Sequence, residues 1–176
     1  GQDYPRDRFE VLVCDGMSDD RTRAIVSALS ETDPRVRLID NPARRSSAGR
    51  NAGFRNGRGD VFVVIDGHVQ LPNNQLLASI AHHFRESGAA CLGRPQPLIA
   101  KAPGSWSETI SIGRGSGLGH STSSFIFSDY EGPAPAASNG AAYRREVFET
   151  IGYVDEHFDA CEDLEFNTRI DEAGLS

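Results

Sequence analysis

VFVVIDGHVQLP (residues 61–72) begins with an unbroken apolar run, Val61 to Ile65, and passes directly into Asp66-Gly67-His68. Such a run, without alternation, predicts a strand covered on both faces, as in the interior of an α/β sheet. Side chains two positions apart on a strand point the same way, and a glycine between them lets the backbone approach a ligand. A carboxylate and an imidazole so placed suit a divalent cation that also holds substrate phosphates. Open α/β sheets bind ligands at the carboxyl ends of their strands, where this triplet falls. Asp66 can equally serve as a turn residue, so its surroundings carry the decision.

Working outward, apolar periodicity alternates between strand and helix. FEVLVCD (9–15) reads as a strand ending in an acidic turn. A helix follows over about 19–31, with Ser18 as N-cap and Ala24, Ile25, Ala28 and Leu29 as its inner face. RVRLID (35–40) alternates charge with apolar residues, which fits a sheet edge, and SSAGRNAGFRNG (46–57) reads as a short helix closed by Gly57 in a C′ role. After the strand at 61–66 comes a helix over about 73–86, its core stripe formed by Leu76, Leu77, Ile80, Ala81 and Phe84 and its end set by Gly88. AACLG (89–93) is a further strand. This β-α-β-α-β-α-β order predicts a three-layer α/β domain. Residues 94–138 then turn rich in Gly, Pro and Ser, with only SSFIFSDY (123–130) resembling a strand, and so long an irregular stretch inside a compact domain is usually functional or mobile. RREVFETIG (144–152) and DLEFNTRIDEAG (163–174) close the chain as helices.

The 176 residues suit a single domain, and their formal net charge of −7 leaves no basic surplus for a nucleic-acid partner. Arg44-Arg45 and Arg144-Arg145 are local basic pairs that either meet anions or form a solvated face. Cys14, Cys91 and Cys161 are odd in number and lack CxxC spacing, which argues against a disulfide framework or zinc site and for a reducing cytosol. No apolar run approaches the roughly 20 residues of a membrane span, and the polar opening is not a signal peptide. A soluble chain is the expectation.

Several residues can carry chemistry. Asp15, at the end of the first strand, can accept from a ribose hydroxyl or a base N–H, or be a turn residue; Asp19 and Asp20 favour a helix N-terminus. Arg50 can meet a base or pair with a carboxylate, and Asn51 is expected to brace a loop. Glu162-Asp163 precedes the last helix, where two carboxylates suit the dipole or one acts as a general base. As a base, Asp163 needs burial or the company of Glu162 to strengthen it. His120 and His157 are candidate further metal ligands or ordinary histidines, and the glycine spacing of GRGSGLGHS (113–121) reads as accidental because no strand precedes it.

In order, VLVCDGMSDDRT, SAGRNAGFRNGRGD, VFVVIDGHVQLP, SNGAAYRREVFETIGYVDE and EDLEFNTRI resemble the motifs of the family 2 glycosyltransferases of the GT-A fold, from about residue 9 to the end of the chain. The DGH triplet is most similar to the bacterial subgroup that includes the succinoglycan glycosyltransferases. That resemblance implies a Rossmann-like α/β/α sandwich with a mixed, mostly parallel sheet. A donor-binding part would span about 9–93 and an acceptor and catalytic part about 94–176. It implies an inverting hexosyl transfer from a nucleotide-sugar donor, with uridine as the base, to a glycan or lipid-linked acceptor in exopolysaccharide synthesis. Asp15, Arg50 and Asp66 would bind the donor, Asp66 and His68 the metal, and Asp163, with Glu162 beside it, would be the catalytic base. Gly49 stands where the family motif has Ala, and His68 replaces its usual second Asp, which favours Mn²⁺ over Mg²⁺.

The resemblance further implies a fragment without the family's first strand-helix unit and C-terminal part, so turnover of the piece alone stays open. It implies a cytoplasmic place, at the inner face of the membrane if residues outside this chain reach it. A sugar-nucleotide or glycan binding domain without turnover is the alternative from another class; retention of Asp163 beside Asp66 counts against it. A nucleotidyltransferase, which would release pyrophosphate, is the further rival.

Overall fold

Strands β1 (Val11–Asp15) and β2 (Val36–Asp40) pair in parallel with Asp15 opposite Asp40, so two carboxylates stand side by side at the carboxyl ends of the sheet. Helix α1 (Thr22–Thr32) makes the crossover between them. A second sheet has the order β3-β5-β4, in which β5 (Gly140–Arg144) runs antiparallel to both β3 (Val61–Val63) and β4 (Cys91–Gly93). The helices are α2 (Ser46–Asn56), α3 (Leu76–Ser87), α4 (Trp106–Gly115), α5 (Ala136–Asn139), α6 (Arg145–Ile151) and α7 (Glu162–Glu172). The computed structural model describes residues 1–67, 69–93, 103–116, 125, 127 and 130–175. His68, His120 and, apart from Phe125, Phe127 and Tyr130, the segment 123–130 lie outside them. The α/β architecture expected from the alternating pattern is present, with parallel and antiparallel pairing both represented.

An aromatic core joins the second sheet to three helices. Phe54 of α2, Phe62 of β3, Tyr143 of β5, Phe148 of α6 and Phe166 of α7 are all buried, with Val147 and Ile170 fully enclosed among them. The Phe54 and Phe148 rings lie 4.3 Å apart between centroids, and Phe148 stacks on Phe166 at 5.6 Å with 16° between planes. Phe62 meets Phe148 edge-on at 5.3 Å. Each such pair adds about 0.5–1.5 kcal/mol beyond its area burial. The consequence for function is positional: α2 and α7 are locked to the same core, and their first residues come into contact.

Four local expectations need correction. Helix α1 starts at Thr22, not near Asp19, and Ser18 caps nothing; both its N–H and its hydroxyl donate to Asp15. Its inward residue is Val26, while Ile25 and Leu29 are exposed. The reason is Arg23, whose guanidinium is tied to Asp15 and Asp40 and turns the face carrying residues 23, 26 and 30 inward. Gly57 does follow α2, but in extended conformation (φ −71°), and a Cβ there would run into the Phe62 ring. Close approach, not left-handed backbone, is what requires glycine at 57. Finally, β3 is shorter than its apolar run: Val64 adds one backbone bond to Ala141, whereas Ile65 is exposed. Gly88, by contrast, ends α3 in the left-handed conformation as expected (φ +66°).

Candidate active site

Asp15 is the most enclosed of the carboxylates at the strand ends. Its Oδ1 accepts from the Ser18 hydroxyl at 2.5 Å, and its Oδ2 from the Ser18 N–H at 3.0 Å and Arg23 Nη1 at 2.8 Å. The Ser18 hydroxyl and the Arg23 guanidinium outweigh the cost of burial and hold the carboxyl down at about 2. It is therefore ionised at neutral pH and acts only as an acceptor. Two carboxylate oxygens offer about four lone-pair positions, and three are taken here. By that count one position, on Oδ1, is unused, in a side chain only 3% exposed.

A second cluster forms where α2, α7 and the end of β3 converge. Ser46 and Arg50 lie four residues apart on one face of α2. Ser46 Oγ donates to Glu162 Oε1 at 2.6 Å, and Arg50 Nη1 stands 3.2 Å from the same oxygen. Arg50 Nη2 lies 3.9 Å from Asp66 Oδ1, a looser pairing. Burial pushes the Glu162 carboxyl up, but the Ser46 hydroxyl, its own backbone N–H and the Arg50 charge outweigh it and hold it below the usual glutamate range. Arg50 Nε is buried with no hydrogen-bond partner among the described residues. The structure thus brings Arg50, Asp66 and Glu162 together.

Asp163 follows Glu162 on the first turn of α7 and is exposed, its Oδ1 accepting the Leu164 N–H at 2.9 Å. Of the two surroundings expected for it, burial or the company of Glu162, only the second is present. Cys161, immediately before, takes the left-handed conformation (φ +61°) and turns the chain into the helix. Asn51 braces a loop as expected: its amide donates to the Val154 carbonyl at 2.8 Å and to Glu156 at 2.7 Å, and accepts the Val154 N–H at 3.0 Å. This tie anchors the segment leading to Glu162.

Other expectations resolve differently. Arg144 and Arg145 are spent on backbone carbonyls, of Ala89 and of Gly57 and Gly59 respectively, and so serve the fold. His157 contacts Asp155 at 2.9 Å on the surface. No group of three His, Cys, Asp or Glu side chains able to hold a metal is present among the described residues. Asp66 is half exposed three residues past β3, with Arg50 as its only ion-pair partner among the described residues. That fits a cation held by one or two protein ligands and completed by substrate phosphates and water, with His68 the second candidate. Gly49, where the family motif has Ala, is explained by Asn41: a Cβ would come within 2.9 Å of its Nδ2, which is held by the Arg45 carbonyl.

Sequence reasoning missed Arg23, Asp40, Ser46 and Asn167. Arg23 bridges Asp15 and Asp40, with Nη2 to Asp40 at 2.7 Å. Buried Asn167 lies 3.0 Å from the Tyr143 hydroxyl and donates to the Gly140 carbonyl at 3.1 Å. Only Asn167 left a signal, as an amide on the inward stripe of the last helix.

A family model described as "Glycosyl transferase family 2" matches residues 2–152. The "Succinoglycan biosynthesis protein ExoA" of Rhizobium meliloti is 30% identical over 170 residues, covering 93% of this chain and 49% of that protein. This chain therefore spans about half the length of that relative. Among solved structures, S. aureus TarS superposes with a TM-score of 0.69 at 17% identity, over 96% of this chain and 47% of that one. The mannosyltransferase PcManGT from Pyrobaculum calidifontis, in complex with GDP-Man and Mn²⁺, gives 0.65 at 23% identity, over 99% and 46%. At those identities the likeness speaks for the fold alone. No described helix is long and apolar enough to cross a membrane. With the motifs in order, the strand-end carboxylates in place and the family model spanning most of its length, the chain belongs to glycosyl transferase family 2 and has its GT-A fold.

Proposed function

We propose that this chain is the donor-binding and catalytic part of an inverting glycosyltransferase. It moves a sugar from a nucleotide sugar of the UDP class to a hydroxyl of a glycan or lipid-linked acceptor in bacterial polysaccharide synthesis, in the cytoplasm or at the inner membrane face. The observation that carries this reading is the convergence of Arg50, Asp66 and Glu162 from three separate elements, with exposed Asp163 next in the chain. Relatives support it by name: ExoA acts in succinoglycan biosynthesis, one TarS structure holds UDP, and PcManGT holds GDP-Man with Mn²⁺.

In this reading residues 9–93 hold the donor and 94–176 the acceptor and the base. Asp15 accepts a hydrogen bond from the nucleoside through its remaining lone pair. Arg50 turns its loosely held arm toward the diphosphate. Asp66, with His68, holds a divalent cation, Mn²⁺ ahead of Mg²⁺, whose charge when bound neutralises the departing diphosphate. Asp163 takes the proton of the acceptor hydroxyl as that oxygen forms its bond to the anomeric carbon. The bond from that carbon to the diphosphate oxygen breaks on the opposite face, its electron pair leaves with the nucleoside diphosphate, and the configuration inverts.

Thermal unfolding of the chain with UDP, UDP-glucose or GDP-mannose, each with and without Mn²⁺, tests the donor site. A ligand at about 100 times its Kd stabilises by about 2.7 kcal/mol. A shift that needs both a uridine nucleotide and Mn²⁺, and is lost in Asp66→Asn, is the expected result. A cooperative transition that no nucleotide moves would refute the donor reading.

A further inference from the structure

At the convergence of α2, α7 and the end of β3, one guanidinium faces two carboxylates. The trio therefore carries one uncompensated negative charge, which resides on whichever carboxylate Arg50 serves less well. Geometry decides between them. Glu162 has a side chain only 8% exposed, stands 3.2 Å from Nη1 and receives the Ser46 hydroxyl on the same oxygen. Asp66 is 48% exposed and 3.9 Å from Nη2. A buried carboxylate stripped of its partner is costly, whereas water compensates an exposed one. Arg50 accordingly stays with Glu162, and the free charge falls on Asp66.

We propose that Glu162 is a positioning residue that holds Arg50 off Asp66 and so keeps Asp66 open to the divalent cation of the donor complex. This rests on the reading of Asp66 as the cation-holding carboxylate. Without a charge at 162, Arg50 has a single carboxylate within reach among the described residues and closes the short gap to Asp66, forming an internal ion pair that competes with the cation. The role differs from that of a base: Glu162 is enclosed and engaged, while Asp163 beside it faces outward. The pair that frees Asp66 also fixes the first turn of α7, on which Asp163 stands. Cation binding and base placement thereby depend on one contact.

The test follows free Mn²⁺ by electron paramagnetic resonance as the chain is titrated with Mn²⁺ in the presence of UDP, against a blank of UDP without the chain. The unmodified chain binds and Asp66→Asn does not. Glu162→Gln, which keeps an acceptor for Ser46, weakens binding by about tenfold or more, as an internal competitor worth one decade of affinity would. Adding Arg50→Gln to Glu162→Gln restores affinity to within about threefold, because the competitor is gone. A purely structural loss at 162 would be compounded by the second change. Ser46→Ala, the milder variant, weakens binding in the same direction while keeping both charges, and thermal unfolding confirms that each variant folds. Glu162→Gln binding as tightly as the unmodified chain, or a double variant that stays weak, overturns the proposal. Absence of Mn²⁺ binding by the unmodified chain overturns it too, while a UDP-dependent thermal shift in the same sample leaves the donor reading standing.

Discussion

Replacing Asn51 by alanine should break the joint between α2 and the loop that delivers Glu162. Asn51 is 1% exposed, and its amide makes three hydrogen bonds across a separation of more than a hundred residues, two to the backbone of Val154 and one to Glu156. Alanine removes all three. Val154 is buried, so its N–H and its carbonyl would each be left unsatisfied at about 1–3 kcal/mol. Glu156 is partly solvated and loses little. With a small void added, the loss is about 3–5 kcal/mol, a large share of the roughly 5–15 kcal/mol typical of a whole domain. Urea unfolding followed by circular dichroism measures it directly: at a slope of about 2 kcal/mol per molar, the midpoint falls by about 1.5–2.5 M. Asn51→Asp keeps an acceptor for the Val154 N–H but sets a second carboxylate against Glu156, so its defect should shrink below about pH 4. A midpoint shift for Asn51→Ala under about 0.5 M would show that Val154 does not depend on this amide. The account of how α2 positions the entry to α7 would then fail.

Gly57→Ala should lower stability by about 1–3 kcal/mol through overpacking against Phe62, and an unchanged melting temperature would contradict the close approach. For Asp15 the folded-state pKa is depressed, from 3.8 to about 2, so its contribution is fully present above about 3.8 and is lost as pH falls through about 2. Stability measured against pH should therefore drop less steeply across that window in Asp15→Asn than in the unmodified chain, and parallel curves would remove the Ser18 and Arg23 bonds as its cause. Asp163→Asn should lower kcat by about 10²–10⁴-fold in a protein competent for turnover, with nucleotide affinity unchanged. Near-normal turnover would exclude Asp163 as the base.

Much of the candidate site was legible because its residues stand near the ends of elements whose periodicity is local. Asp15 and Asp66 follow apolar strands, and Glu162 opens a helix, so a window of ten residues locates each. What the sequence could not disclose is who partners whom. Ile25 and Leu29 read as an inner face until Arg23, held by Asp15 and Asp40, rotates α1 away from that choice. Gly57 reads as a left-handed cap because the Phe62 ring that crowds it arrives through tertiary packing. Ser46 was indistinguishable from any polar helix start until Glu162 came to meet it. His68, singled out by its spacing from Asp66, lies outside the described residues.

The placement of β5 between β3 and β4 also governs the order of events as the chain is made. Neither flanking strand finds its neighbour until synthesis has passed β5, and Arg145, the first residue of α6, then bonds the Gly57 carbonyl across 88 residues. Contacts of such high order demand loop closure before they return any energy, and folding slows accordingly. The parallel pair β1-β2 and its crossover helix can form early. Asp66 and Glu162 reach their places only when the second sheet closes. A nascent chain halted before residue 140 would thus carry Asp15, Arg50 and Asp66 with no assembled cluster, and two apolar strand edges open to unwanted pairing.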